Sequence, residues 1–348
     1  MLENPATQAP VTVIIPCYRC TDTIARTVAS VANQTVKPAE VILVDDGSND
    51  DTPAALRRLQ REYGADWIKV IELDDDYGVS VARNTGWEAA SYDYVAFLDS
   101  DDAWHRDKIA VQYGWMNAHP DVMLTGHSVV FKPKALNTEL PPRLLTATLT
   151  SKTRLLISNH FIMSSVMVKR NCPIRFHPVL RCSQDYYFCL EVIGQGEKAV
   201  LMNYPIVYRF NAPYGERGLT KKLWTLEADE LAVYRMVWQS GQISSIGYFI
   251  LYLWSWIRYF RRICIYTIQQ TIRRLTQASP FKPRRSQRAY DDTLGYCLAS
   301  DRNSPHDSNT TQSGRWSDRA GGSHVGDLVT VDGQPNSDHA GSRDLTDR

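Results

Sequence analysis

Apolar residues in the first hundred positions come in short unbroken runs, separated by stretches in which they recur every three or four places. Val11-Thr12-Val13-Ile14-Ile15-Pro16, Val41-Ile42-Leu43-Val44, Ile68 to Leu73 and Tyr94-Val95-Ala96-Phe97-Leu98 are such runs. Runs of this length, rich in β-branched and aromatic residues, predict buried strands. Between them Ile24, Val28 and Val31 keep helical spacing, with Asp22 as the expected cap. Asp51 or Thr52 with Pro53 opens a second helix that carries Leu56 and Leu59 inward and ends at Tyr63-Gly64, and Gly78 precedes a third over Val79 to Ala90. Strands alternating with helices predict an α/β fold: a Rossmann-like, mostly parallel central sheet with helices on both faces.

The second half is less regular. Val122 to Phe131 reads as a strand, Pro133 to Pro142 as a loop, and Ser164 to Val168 as another short strand. From Ile243 the pattern changes again. Ile246 to Ile257 is densely apolar and aromatic, with Arg258, Arg261, Arg262, Arg273 and Arg274 close behind. The apolar run is shorter than the ~18–20 residues a spanning helix needs. Trp, Tyr and Phe beside arginines fit an amphipathic helix lying in a lipid headgroup region, and a helix packed on the chain's own core is the alternative. Residues 279–348 are rich in Ser, Asp, Arg, Gly and Thr without a period, which predicts a disordered tail.

Polar signals concentrate at three strand ends: Pro16-Cys17-Tyr18, Asp45-Asp46-Gly47-Ser48 and Asp99-Ser100-Asp101-Asp102. In parallel sheets ligands collect beyond the carboxyl ends of the strands, so these should converge on one crevice. Acids are too costly inside a core, which puts Asp99, Asp101 and Asp102 at the open end of their strand. Three clustered carboxylates repel unless a cation is shared, and Mg²⁺ or Mn²⁺ with a substrate phosphate suits them. A solvated Asp/Ser turn is the plainer reading of the same residues. No Walker-type loop and no G-x-G-x-x-G follows the first strand, which removes the usual support for P-loop and dinucleotide sites.

Composition adds bounds rather than direction. The 348 residues are 43% hydrophobic, enough for a proper core, and a net charge of +1 gives no case for nucleic acid as a partner. Seven cysteines at irregular spacings do not form a disulfide framework, and Cys17-x-x-Cys20 lacks a second pair for zinc, so a reducing cytosol is the simpler setting. Met1 to Pro10 lacks a signal-peptide pattern and reads as a flexible N-terminus. No histidine spacing suggests a ligand pair.

Val-Ile-Ile-Pro-Cys-Tyr (13–18), Val-Asp-Asp-Gly-Ser (44–48), Ala-Arg-Asn-Thr-Gly (82–86) and Phe-Leu-Asp-Ser-Asp-Asp-Ala-Trp (97–104), in this order, resemble family 2 glycosyltransferases of the bacterial exopolysaccharide and cell-surface polysaccharide type. The resemblance implies a GT-A fold over 11–235, with a nucleotide-sugar-binding half (11–105) and an acceptor half (106–235), and the apolar and arginine pattern beyond it is the expected helical membrane-surface segment (236–278). It implies inverting transfer from a nucleotide-sugar, usually a UDP-sugar, to a hydroxyl of a growing polysaccharide or lipid-linked oligosaccharide. By the same resemblance Pro16 and Tyr18 line the nucleotide pocket, Asp46 bonds the base, and Arg83 lies near the ribose and phosphates. Asp99, Ser100, Asp101 and Asp102 form the D-x-D region, where the three acids are candidate ligands for Mg²⁺ or Mn²⁺ and Asp99 and Ser100 reach the nucleotide-sugar. Asp185 matches the family's general base, although Gln184 stands where a Glu is usual. Arg217, Lys221 and Lys222, in a glycine-flanked basic loop, are a possible lid over the diphosphate, with a solvated loop as the alternative. The implied setting is cytoplasmic, peripheral to the inner face of the cell membrane. Transfer directly to polyprenyl phosphate, or a non-catalytic nucleotide-sugar-binding scaffold marked by Gln184, stay open as other readings.

Overall fold

The apolar runs become strands of one nine-stranded sheet in the computed structural model, which describes residues 8–131, 133, 136–137, 146–180, 182–210 and 223–278. The first half supplies β1 (Gln8–Cys17), α1 (Ile24–Ala32), β2 (Lys37–Asp45), α2 (Thr52–Tyr63), β3 (Ile68–Glu72), α3 (Val79–Glu88) and β4 (Tyr94–Phe97). The second supplies β5 (Ala103–Trp104), α4 (Lys108–Ala118), β6 (Val122–Phe131), β7 (Ala147–Leu149), α5 (Lys152–Ile157), β8 (Met167–Lys169), α6 (Gln184–Gly194), β9 (Lys198–Arg209), α7 (Leu223–Gln239) and α8 (Ser245–Ala278). The strand order is β3-β2-β1-β4-β8-β6-β9-β5, with β7 also on β9.

The block β3-β2-β1-β4 is parallel throughout. Period-2 geometry turns Ile14, Ile42, Val44, Val95 and Phe97 to one face, where α3, α6 and α7 cover them. Val13, Ile15, Val41, Leu43, Ala96 and Leu98 turn to the other, under α1, α2 and α4. Both faces are buried, which is why these strands are continuous apolar runs rather than alternating ones. Beyond β4 the sheet changes sense: β8 pairs antiparallel with both β4 and β6, and β6 runs parallel to β9.

Two local expectations are corrected. The N-cap of α1 is Thr23, not Asp22, and the preceding turn closes by Thr23 and Ile24 N–H groups on the Cys20 carbonyl at 2.9 and 3.0 Å. Ser164 and Ser165 are not in a strand. They lie in a one-turn 3-10 helix, Met163–Ser165, where the Ser165 hydroxyl donates to the Ile162 carbonyl at 2.7 Å and competes with sheet pairing. β8 starts only at Met167.

Contacts group the chain through Phe260 into one unit, and a second begins at Arg261. In the first, α8 packs one side on the core. Its Ser255 hydroxyl donates to Glu227 at 2.7 Å, while Arg258 pairs with Glu230 and donates to the Tyr234 hydroxyl at 2.8 Å. Arg258, expected on a lipid-facing side, is thus drawn inward by a buried acid. Trp238 stacks on Tyr248 at 5.2 Å, and Tyr252 and Trp256 continue the aromatic row. The opposite side exposes Ile246, Phe249, Ile250, Leu253, Ile257 and Phe260, with Ile246 75% and Ile257 60% accessible. The described part of the second unit is the remainder of α8, where Thr267 donates back to the Ile263 carbonyl at 2.9 Å. No helix among the described residues is long and apolar enough to cross a membrane. The expected lid with Arg217, Lys221 and Lys222, the 279–348 tail, most of the 133–142 loop and the side chains of Arg273 and Arg274 lie outside the described residues.

Candidate active site

The three polar strand ends meet. Register pairs Cys17 with Asp45 across β1 and β2, and the Asp46 N–H donates to the Cys17 carbonyl at 2.8 Å. On the other side of β1, Ile14 is level with Phe97, and the Leu98 N–H reaches the Ile14 carbonyl at 3.1 Å. The chain then leaves the sheet at Asp99. Two glycines of the sequence motifs explain themselves here. Gly47 has φ +64°, and a Cβ would lie 2.3 Å from the Asp75 carbonyl carbon. Gly86 lets α3 press on the sheet, where a Cβ would come within 2.6 Å of Ile14 Cγ2.

On the side of β1 and β2, Pro16 is buried and Tyr18 is exposed, with the Arg19 guanidinium 5.2 Å from the tyrosine ring centroid. Arg19 takes a left-handed φ of +47° and donates its N–H to Ser48 Oγ at 3.0 Å, joining the two loops. Asp45 is buried and accepts the Ser48 N–H at 3.3 Å, and burial pushes its carboxyl up from the usual range. Asp46, also buried, accepts the Tyr77 N–H at 3.0 Å, which ties the loop after β3 to the crevice.

The acid turn is held from several directions. The Asp102 N–H closes it on the Asp99 carbonyl at 3.1 Å. From α1, Arg26 donates to the Asp101 carbonyl at 2.8 Å, Thr27 Oγ1 lies 2.8 Å from the carbonyls of both Ser100 and Asp102, and Ser30 Oγ accepts the Trp104 N–H at 3.1 Å. Asp99 and Asp101 stay partly open to solvent. Asp102, expected among the metal ligands, is 1% accessible and bonded to Ser164 Oγ at 2.6 Å, with Arg209 Nε 3.4 Å away. Burial first, then the like charges of Asp99 and Asp101, push its carboxyl up to about 8 against the pull of Arg209 and Ser164.

Arg83 links this turn to the other half of the crevice. It donates to Asp99 Oδ1 at 2.7 Å and lies 5.3 Å from the Phe176 ring centroid. Asn84 bonds Phe176 reciprocally, its amide donating to the Phe176 carbonyl at 2.8 Å and accepting the Phe176 N–H at 3.0 Å. Arg83 Nε and Nη1 are buried and have no hydrogen-bond partner among the described residues. Asp185 lies in the first turn of α6, half-buried, with its Oδ1 2.7 Å from the Tyr186 N–H. Burial raises its carboxyl pKa. Arg83 and the Tyr186 N–H act against that shift, and the Asp99 charge adds to it. Asp185, Arg83 and Asp99 therefore share one electrostatic neighbourhood, with the acid on α6 made more basic than a free carboxylate. The adjacent Gln184 is buried, its Oε1 unpartnered among the described residues.

Among the described residues no group of three His, Cys, Asp or Glu converges as a metal cage. The donor set nonetheless fits a hard divalent ion of the Mg²⁺ kind, which binds through one or two carboxylates and completes its shell with water and substrate phosphates. Asp99 and Asp101, the partly open acids of the turn, are the two carboxylates that could serve. Sequence reasoning missed Arg26, Thr27, Ser30, Ser164 and Arg209. Thr27 and Ser30 had a readable signal: polar residues interleaved with Val28 and Val31 on the face of α1 that the apolar spacing buries.

Residues 12–172 match the family model described as Glycosyl transferase family 2. The putative teichuronic acid biosynthesis glycosyltransferase TuaG of Bacillus subtilis (strain 168) is 44% identical over 106 residues, 30% of this chain and 41% of that protein. The UDP-Glc:alpha-D-GlcNAc-diphosphoundecaprenol beta-1,3-glucosyltransferase WfaP of Escherichia coli is 39% identical over 108 residues, again 30% of this chain and 41% of the relative. The matched stretch thus spans well under half of either relative. In structure the chain is similar to the mannosyltransferase PcManGT from Pyrobaculum calidifontis, solved in complex with GDP-Man and Mn²⁺, with a TM-score of 0.54 at 20% identity over 86% of this chain and 84% of that one. That likeness shows the fold, the GT-A arrangement of a parallel block continued by a mixed sheet. Over residues 12–172 the chain thus carries the features of a glycosyl transferase family 2 domain.

Proposed function

We propose that this domain is an active, inverting glycosyltransferase. It moves a sugar from a nucleotide-sugar, a UDP-sugar, to a hydroxyl of a growing polysaccharide or lipid-linked oligosaccharide. The observation that carries the reading is the grouping of Asp99, Arg83 and Asp185 at the carboxyl ends of the strands, with the basic carboxylate on a different element from the acid turn. Pro16, Tyr18 and Asp46 line the nucleotide side, and Ser100 borders the ribose and phosphates with Asp99. Asp99 and Asp101 hold Mg²⁺ or Mn²⁺, and Asp102 braces their turn. When bound, the ion supplies Lewis-acid stabilisation of a departing diphosphate. The two buried, unpartnered nitrogens of Arg83 offer donors to the same phosphates.

Asp185 takes the proton of the attacking acceptor hydroxyl. Its raised pKa brings it nearer the working pH, where a general base is most effective. Asp185 acting as a base, with Asp99 and Asp101 given to the cation, means one displacement and inverted configuration. The exposed apolar side of α8 lies on the cytoplasmic face of the membrane, peripheral to it, where lipid-linked acceptors are presented. Its stripe at positions 246, 249, 250, 253, 257 and 260 keeps helical spacing on one side while the other is packed on the core.

Asp185→Asn tests the chemistry. Turnover should fall about 10²-fold or more, while calorimetric affinity for UDP in Mn²⁺ stays within about twofold. A variant that binds UDP poorly yet turns over normally at saturation moves Asp185 into the donor site and sinks the assignment.

A further inference from the structure

Ser164 belongs to no sequence motif, yet its hydroxyl is bonded to both ends of the acid turn. It is fully buried in the one-turn helix Met163–Ser165. Its Oγ accepts the Asp99 N–H at 3.2 Å and donates to Asp102 Oδ2 at 2.6 Å. Its carbonyl accepts the Trp104 indole N–H at 2.7 Å. One residue from the acceptor half therefore grips the first acid, the last acid and the tryptophan that follows them. Its own position is fixed from outside: the neighbouring Ser165 carbonyl accepts Gln112 Nε2 at 3.0 Å, and the Val166 carbonyl accepts the Phe97 N–H at 3.1 Å.

The hydroxyl works as a two-sided clasp. Oγ spends its single proton on the Asp102 carboxylate and a lone pair on the Asp99 N–H, so both ends of the turn are bonded to the same oxygen. The Asp99 backbone is thereby set where its carboxylate meets Arg83 at 2.7 Å. Removing the oxygen leaves a buried carboxylate oxygen without its short donor and the Asp99 N–H without its acceptor, while the loop's outer residues Ser100 and Asp101 keep their backbone bonds to α1. We propose that Ser164 is a positioning residue, whose hydroxyl aims Asp99 and Asp101 at the divalent ion and the donor's diphosphate by clasping both ends of the Asp99–Asp102 turn. The inference rests on the reading of those two acids as the cation–diphosphate site.

The test measures Mn²⁺ affinity in the presence of UDP, by the electron paramagnetic resonance of free Mn²⁺, alongside the thermal midpoint, for the full chain and for Ser164→Ala, Ser164→Cys and Ser164→Thr. Residues that orient metal ligands typically change metal affinity about 10–100-fold when lost, and that range is expected for Ala. Cys fills the space of Ser without a competent hydroxyl and should lose affinity as Ala does, so the result does not depend on tolerance of a void. Thr keeps the hydroxyl and should hold Mn²⁺ affinity within about threefold of wild type. A purely packing role would lower the thermal midpoint and leave Mn²⁺ affinity alone. Wild-type Mn²⁺ affinity in the Ala and Cys variants overturns the proposal, and so does a Thr variant as weak as Ala. A wild-type chain that shows no UDP-dependent Mn²⁺ binding overturns the reading of the site itself, and the inference with it.

Discussion

Lowering the pH should unfold this protein through one imidazole. His127, on β6, is 1% accessible, and neither of its buried ring nitrogens has a hydrogen-bond partner among the described residues. Burial first, then the nearby Lys108, lower its pKa from 6.5 to about 3. The folded state therefore refuses a proton that the unfolded chain takes up below about pH 6.5. Stability is full above that pH and drains away as the pH falls toward about 3. A gap of roughly 3.5 units at ~1.36 kcal/mol per unit amounts to about 5 kcal/mol. That is a large part of the ~5–15 kcal/mol a domain commonly has. Lys108 adds in the same direction, because burial lowers its pKa too and the folded state again disfavours the charged form. Urea unfolding followed by tryptophan fluorescence at pH 7.5, 6.0, 5.0 and 4.5, for wild type and His127→Leu, checks the sign and the size. Leucine keeps the volume and removes the titration, so the variant should be at least as stable at pH 7.5. Its stability should fall less steeply by about 1.4 kcal/mol per pH unit below pH 6. Parallel pH slopes for the two proteins would refute the reasoning.

Lys108 itself lies fully buried at the start of α4, its Nζ 3.6 Å from the Trp104 ring centroid and without a hydrogen-bond partner among the described residues. Lys108→Met keeps the stem and removes the charge, and should raise stability by about 1–2 kcal/mol in the same urea assay, after the loss of a cation–π contact. Gly86→Ala should cost about 1–3 kcal/mol, because the new methyl meets Ile14 Cγ2 at 2.6 Å and Val44 Cγ2 at 3.2 Å. Ile14→Ala removes that Cγ2 and should cost less in the Gly86→Ala background than in wild type, and an additive double mutant would count against a local clash. The triple change Ile250→Ser, Leu253→Ser, Ile257→Ser removes exposed apolar side chains from α8. It should weaken partitioning to phosphatidylglycerol-containing vesicles more than tenfold at unchanged thermal midpoint, and unchanged partitioning would detach α8 from the membrane.

The parallel block β3-β2-β1-β4 was legible because its signals are local. Strands buried on both faces must be continuous apolar runs, and each ends in residues too polar or too small to continue it, as at Asp45-Asp46-Gly47 and Asp99-Ser100-Asp101-Asp102. The mixed part of the sheet was less so, because its order is set by contacts far apart in sequence. β8 has three residues, too few for a period, and its place between β4 and β6 follows from pairing alone. Ser164 reads as an unremarkable polar residue until the fold brings Asp99 and Asp102 to it. Asp102 differs from Asp99 only in which way the turn points it, inward to Ser164 and Arg209. The two sides of α8 were both foreseeable as alternatives, and Glu230 decides between them at Arg258, a partner that no spacing on α8 itself reveals.

The clasp also orders events during synthesis. Ser164 follows Asp102 by 62 positions. A ribosome adding about 5–20 residues per second delivers it roughly 3–12 s after the acid turn. During that interval β1 to β4 have all emerged and can assemble their parallel block, while the outer edge of β4 waits for β8 and Asp102 waits for its donor. An unpaired strand edge beside an unsatisfied acid is a template for the wrong partner. The nascent half-sheet is therefore the stage at which this chain most needs a chaperone. A slow stretch of translation between Asp102 and Ser164 would lengthen that exposure.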